Sequence, residues 1–95
     1  MRIVKTSKRF RKDYTKLKKS GRRDMQKLRQ VMEKLIDDRP LDAKHKDHQL
    51  QGELRQYRDC HIEGDWVLLY EYGIDESGKE TITFHATDNH ANLFE

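Results

Sequence analysis

Apolar positions along the chain follow two different rhythms. In the first forty residues they recur every three or four places, at Phe10, Tyr14 and Leu17 and then at Met25, Leu28, Met32, Leu35 and Ile36. Such spacing lines one face of a helix, so it predicts two helices whose apolar stripes pack inward. Ser7 is a good N-cap for the first, and Ser20 with Gly21 ends it. Asp24 can cap the second, and Pro40 stops it, because the residue before a proline is driven out of the helical region. A short strand around residues 2–6 precedes the pair. Beyond residue 52 the rhythm drops to two, and residues 54–62, 65–72 and 80–87 read as strands of an antiparallel meander. The polar stretch 40–52 keeps no period and reads as a loop, while the tail from Asp88 to Glu95 fits one helical turn or an extended end. The fold class is therefore α+β, with two amino-terminal helices packed on an antiparallel β-sheet.

Alternation within the first of these strands sets Tyr57, Asp59 and His61 on one face and Arg58, Cys60 and Ile62 on the other. If Glu63-Gly64 is a two-residue hairpin turn, Asp59 faces Leu68 and His61 faces Trp66. A bulge moves every one of those pairs by one residue, and the pattern alone does not choose between the two registers.

Composition narrows the picture. The chain has 95 residues, 34% hydrophobic and 39% charged. This suits one domain, residues 1–95, with a lean core and no large enclosed cavity. Cys60 is the only cysteine, which rules out an internal disulfide and fits a buried apolar role in a reducing, cytoplasmic compartment. The longest apolar or aromatic run, Trp66 to Tyr70, is far too short for a membrane span, so no membrane partner is expected.

Charge is segregated. Residues 1–40 hold 15 Lys/Arg against 5 Asp/Glu, and residues 41–95 hold 5 against 12. A basic first half points to a polyanionic partner, since Lys and Arg gain affinity from phosphates by releasing condensed counterions. All five histidines lie in the acidic half.

Three of those histidines sit beside acids: His48 near Asp47, His61 near Asp59 and Asp65, and His90 near Asp88. Cleaving RNA without a metal needs a base for the 2′-hydroxyl, an acid for the departing 5′-oxygen and positive charge around the phosphate. Histidine can fill all three roles near neutral pH, and a carboxylate can orient its ring. A metal shell from His45, His48, Asp59, His61 and Asp65 is the competing reading. It lacks both cysteine ligands and a His-Glu-x-x-His helix, so neither metal nor cofactor is expected. Trp66, Tyr57, Tyr70 and Tyr72 are expected in the core, whereas Phe94, at the chain end beside His90, is the aromatic left to stack on a base.

The ordered series Lys46-Asp47-His48-Gln49-Leu50-Gln51-Gly52, Tyr57-Arg58-Asp59-Cys60-His61-Ile62, Asp65-Trp66-Val67-Leu68-Leu69-Tyr70 and His90-Ala91-Asn92-Leu93-Phe94 resembles the YafQ branch of the RelE-like bacterial toxins, over nearly the whole chain. The resemblance implies a RelE-like fold, a curved antiparallel sheet with helices on one side. It implies an mRNA interferase, a ribosome-dependent endoribonuclease that cuts translated mRNA in the A site. A cognate antitoxin would neutralise it in a hetero-oligomeric complex. By motif, His48, His61, Asp65 and His90 fall on catalytic positions, with Asp59 and Phe94 on further site positions. Relatives commonly carry an arginine where this chain has Ala86, so Arg58, His85 or Lys46 is expected to supply the missing positive charge. The basic helices would dock on 16S rRNA and, in the silenced state, face an acidic antitoxin segment. Two other readings use the same scaffold: a non-catalytic ParE-like poison that inhibits gyrase by binding, and a plain RNA-binding module. The first has no need of three histidines at these places, and fold similarity alone excludes neither.

Overall fold

A computed structural model describes residues 1–94. Strand β1 (Ile3–Thr6) leads into α1 (Lys8–Ser20) and α2 (Met25–Ile36). The caps are those the sequence offers: Ser7 Oγ accepts from Phe10 N at 3.0 Å, Gly21 takes the left-handed conformation at φ 66°, and Asp24 accepts from Gln26 N at 3.0 Å. Each satisfies backbone groups that a helix end leaves open. Four elements cross the rest of the sheet: β2 (His48–Gln49), β3 (Arg58–Glu63), β4 (Trp66–Ile74) and β5 (Glu80–Asn89). A five-residue helix, α3 (His90–Phe94), follows.

The strand order is β1-β5-β4-β3-β2. Strands β2 to β5 are antiparallel neighbours, as the period-two pattern implied, whereas β1 lies parallel to β5. The parallel edge follows from the helical hairpin, which carries the chain over one face and returns it to the far side of the sheet. The stretch 40–52 departs from a simple loop. Ala43–His45 form a 3-10 turn and His48–Gln49 pair with β3, so this segment closes the second edge. Strand β3 also starts later than the alternation suggested, because Gly52–Leu54 coil into another 3-10 turn.

Between β3 and β4 the chain turns at Gly64 and Asp65, with Gly64 at φ 56°, and the register shifts between His61 and Glu63. Asp59 therefore pairs with Leu69 and His61 with Val67, not with Leu68 and Trp66. The bulge is the physical reason: one extra residue moves the whole hairpin by one position.

The helices cover one sheet face. Phe10, Leu28, Val31 and Leu35 pack against Cys60, Ile62, Trp66, Leu68, Tyr70, Ile82 and Phe84, with Tyr14, Leu17, Met25, Met32 and Ile36 around the rim. Burying each large apolar side chain contributes about 1.5–3 kcal/mol. Trp66 meets its one polar need by donating Nε1–H to Thr87 Oγ1 at 2.8 Å, and the Asp13 carboxylate accepts from Thr87 N at 3.1 Å, which ties α1 to β5. Cys60 is wholly buried, and burial pushes its thiol well above the ordinary value, as suits a small core residue. Among the described residues, no helix is long and apolar enough to cross a membrane.

Candidate active site

The face turned away from the helices is built in rows, because paired residues on neighbouring strands project to the same side. One row runs His48, Asp59, Leu69, Ala86, and the next runs His61, Val67, Asp88. The first turn of α3 then places His90 at the end of β5, with its backbone N–H donated to Asp65 O at 3.0 Å. Three histidines from a short edge strand, a central hairpin and a terminal helix thus converge around Asp59.

Asp59 is only 2% exposed. Burial pushes its carboxyl above the ordinary value, while positive charge on His48, His61 and His90 pulls the other way. Its Oδ1 lies 3.1 Å from His48 Nδ1, yet the ring N–H is aimed at Lys46 O, 2.7 Å away. The attraction to His48 is thus present only when that ring is protonated, and among the described residues Oδ1 has no formed hydrogen bond. A buried carboxylate so poorly satisfied costs stability that a folding core would not retain, and such positions cluster at working sites.

The histidine tautomers follow from their partners. A carbonyl only accepts, so Nδ1 carries the proton in His48, against Lys46 O, and in His61, against Gly64 O at 3.1 Å. Both rings are left with Nε2 as the free nitrogen for chemistry. His45 also donates Nδ1–H, to His61 O at 2.6 Å, but it is buried at 8% exposure and braces β3. Among the described residues, no group of three or more His, Cys, Asp or Glu is placed to hold a metal ion.

The other expected site residues lie around this cluster or behind it. The Asp65 carboxylate is 69% exposed and pairs with Arg23 at 3.2 Å, while its backbone carbonyl accepts from His90 N, so Asp65 stands at the exposed edge of the cluster and Asp59 at its buried centre. Arg58 alternates with Asp59 and so projects to the helix side. There its Nε donates to Tyr70 OH at 3.3 Å and its guanidinium lies 3.4 Å from Asp47. Strand alternation removes it from the expected phosphate contact. Lys46 lines a groove of about 570 Å³ that runs between α2 and the 43–46 turn, shared with Lys27, Lys34, Lys44 and His61. It remains on the approach to the site. Phe94 is half-buried and packs on the His90 ring with centroids 4.7 Å apart.

One feature escaped sequence reasoning. Tyr70 is fully buried and donates its hydroxyl to Asp47, the residue before His48. Together with Arg58 it pins the short β2 edge from the helix side and so fixes His48 on the other. Burial, then the Asp47 hydrogen bond, push the Tyr70 hydroxyl far above its ordinary value, which keeps it a donor. The adjacency Asp47-His48 was visible in the sequence, but a partner 23 residues away was not.

The family model described as the bacterial toxin of the type II toxin-antitoxin system, YafQ, matches residues 2–95. The mRNA interferase toxin YafQ of Escherichia coli strain K12 is 39% identical over 94 residues, 98% of this chain and 96% of its own. Among solved structures, the toxin in the E. coli DinJ-YafQ toxin-antitoxin complex superposes with a TM-score of 0.83 at 38% identity, covering 99% of this chain and 98% of that one. A metal-bound toxin from Helicobacter pylori superposes at 0.82 and 36% identity, covering 99% and 100%.

Proposed function

This chain belongs to the YafQ family of bacterial type II toxins, and from that premise we propose that it is an mRNA interferase, a ribosome-dependent endoribonuclease that acts by histidine acid-base chemistry without a metal. The observation that carries the mechanism is the convergence of His48, His61 and His90 on the buried Asp59. In the reaction a base takes the 2′-hydroxyl proton, the 2′-oxygen bonds to phosphorus, and the bond to the 5′-oxygen breaks as an acid protonates that oxygen. The products are a 2′,3′-cyclic phosphate and a free 5′-hydroxyl. His90, exposed at the start of α3, is the general acid. His48 and His61, each with Nε2 free, share the base and phosphate-stabilising roles. Asp59 favours the charged imidazoles as they form, and Phe94 holds His90 on one side while offering a ring to a base.

The basic outer faces of α1 and α2 supply the docking charge. Lys12, Lys16, Lys19 and Lys27 are all exposed, a pattern suited to ribosomal RNA and to an acidic antitoxin segment. The E. coli relative is seen bound to the antitoxin DinJ, and a cognate antitoxin for this chain is expected in the same hetero-oligomeric manner, inside the cytoplasm where translating ribosomes are found. The test is expression of wild-type and His90→Ala protein under repressible control with mapping of mRNA ends. Cleavage within translated frames should appear for the wild type and vanish for the variant. Equal cleavage and equal toxicity would overturn the assignment, and inhibition of supercoiling would favour a gyrase poison instead.

A further inference from the structure

We propose that Tyr57, Glu71 and His85 form a nucleotide subsite beside the catalytic row, holding an unpaired RNA base that carries an exocyclic amino group. The proposal rests on the reading of the protein as an RNA-cleaving toxin and names a further contact of that substrate. Its basis is a second register shift. Leu69 pairs with Ala86 and Tyr70 with Phe84, so His85 is the extra residue of a bulge in β5. A bulge re-aims a side chain, and here His85 reaches the same sheet face as Glu71, with Nε2 2.9 Å from Glu71 Oε1. Tyr57 meets it from the residue just before β3: the two rings sit edge to face, centroids 4.9 Å apart and planes at 85°.

Glu71 and His85 come from β4 and β5 and Tyr57 from the residue leading into β3, one row beyond His48 and Asp59. Tyr57 and Asp59 are two residues apart, about 7 Å if the extended backbone of β3 continues back through Tyr57, which is the reach of a neighbouring nucleotide along an extended strand. None of the three is sealed in the core: Tyr57 is half-buried, and the His85 and Glu71 side chains are 25% and 32% exposed. The chemistry suits a base. Tyr57 and His85 offer ring surface for stacking, Glu71 Oε1 is taken by His85, and Oε2 is the acceptor left over. A carboxylate accepts from the amino group of cytosine, adenine or guanine, whereas uracil has no amino group and flanks its one ring N–H with two carbonyl oxygens that a carboxylate repels. The pair also has a conformational logic: His85 fixes the Glu71 carboxylate, so the acceptor is already aimed before RNA arrives.

Ribosomes programmed with mRNAs randomised on both sides of the cut provide the test. Sequencing the ends should show wild-type protein preferring the amino-bearing bases adenine, cytosine and guanine over uracil at one flanking position. Glu71→Gln and His85→Ala should lower that ratio by about tenfold while preferences at other positions persist. Identical preference profiles in wild type and both variants would overturn the subsite, as would a loss spread evenly over every position. A second measurement separates this from failure of the nuclease reading itself. A short RNA with a 2′-deoxy nucleotide at the cleavage position is titrated into the labelled free protein, and the His85 and Tyr57 ring signals are followed. Their movement supports the subsite whether or not mRNA is cut, and their silence overturns it.

Discussion

The two faces of the sheet share the same strands and differ in almost everything else. On the helix side Trp66, Leu68, Tyr70, Ile82 and Phe84 have no exposed surface. On the other side, one residue along each strand, His48, Asp59, His61, Glu71 and His85 are polar, and all of them but Asp59 keep part of their surface in solvent. Cys60 and Asp59 are covalent neighbours, yet one is a core filler and the other the centre of a charged cluster. Strand alternation lets a lean chain place stability and chemistry within a few ångströms of each other without mixing them. The separation can be tested, because substitutions on the two faces should fail in different ways.

The largest expected effect lies on the open face. His90→Ala should lower cleavage by about 10²–10⁴-fold, the usual worth of a positioned acid or base, while folding stability moves by no more than about 0.5 kcal/mol, as for an exposed side chain. End mapping and a urea titration check the two halves of that statement. Leu68→Ala should do the reverse, costing about 2–5 kcal/mol of stability through lost burial and a cavity. Its cleavage per folded molecule should stay near that of the wild type. If His90→Ala unfolded the protein, or Leu68→Ala abolished cleavage while still folded, the two faces would not be separable.

How far this division was legible depended on its range along the chain. Both helices, their caps and the three long strands were readable because their signals are local: Ser7 against Phe10, Asp24 against Gln26, and Phe10, Tyr14 and Leu17 on one stripe. The set His48, Asp59, His61 and His90 was readable from the order of its motifs. The roles of individual acids were not. Asp59 shares a face with His61 by alternation alone, but where Asp65 falls depends on the bulge between His61 and Glu63, and a bulge leaves no fixed mark in an alternating pattern. Arg58 likewise looked like a phosphate contact until alternation and the Tyr70 hydroxyl placed it on the helix side. The parallel pairing of β1 with β5 joins residues more than seventy positions apart, a distance at which local pattern carries no information.

Tyr70 is where the two faces communicate, and a smaller effect is expected there. Tyr70→Phe keeps the ring in the core but leaves Asp47 with the Arg58 guanidinium alone, at a cost of about 0.5–1.5 kcal/mol for one lost hydrogen bond. Because Asp47 holds β2 in place, cleavage should fall as well, by roughly tenfold or less, through displacement of His48. If the tyrosine works only by positioning, the variant should shift the chemical shifts of the His48 ring in the free protein and leave those of His90 alone. Unchanged His48 signals would show that the clamp does not reach the site.

The smallest and most specific effect concerns the pH dependence of Asp59. Its folded-state pKa is raised, by burial first, above the ordinary 3.8. The folded protein therefore binds the Asp59 proton more tightly than the unfolded chain does. With the linkage sign written out, stability from this group is fully present below 3.8, declines as pH rises through the window between the ordinary and raised values, and is flat above it. Asp59→Asn removes the ionisation and with it that decline. Urea midpoints taken from pH 3 to pH 6 should thus show the wild type losing ground relative to the variant as pH increases, although each protein also carries the titration of other groups. Parallel curves would mean that the three histidines cancel the cost of burial and that the open face holds its central charge without strain. A diverging pair would identify Asp59 as the residue at which stability is given up to keep a carboxylate among the imidazoles, the one point where the division between the two faces is not clean.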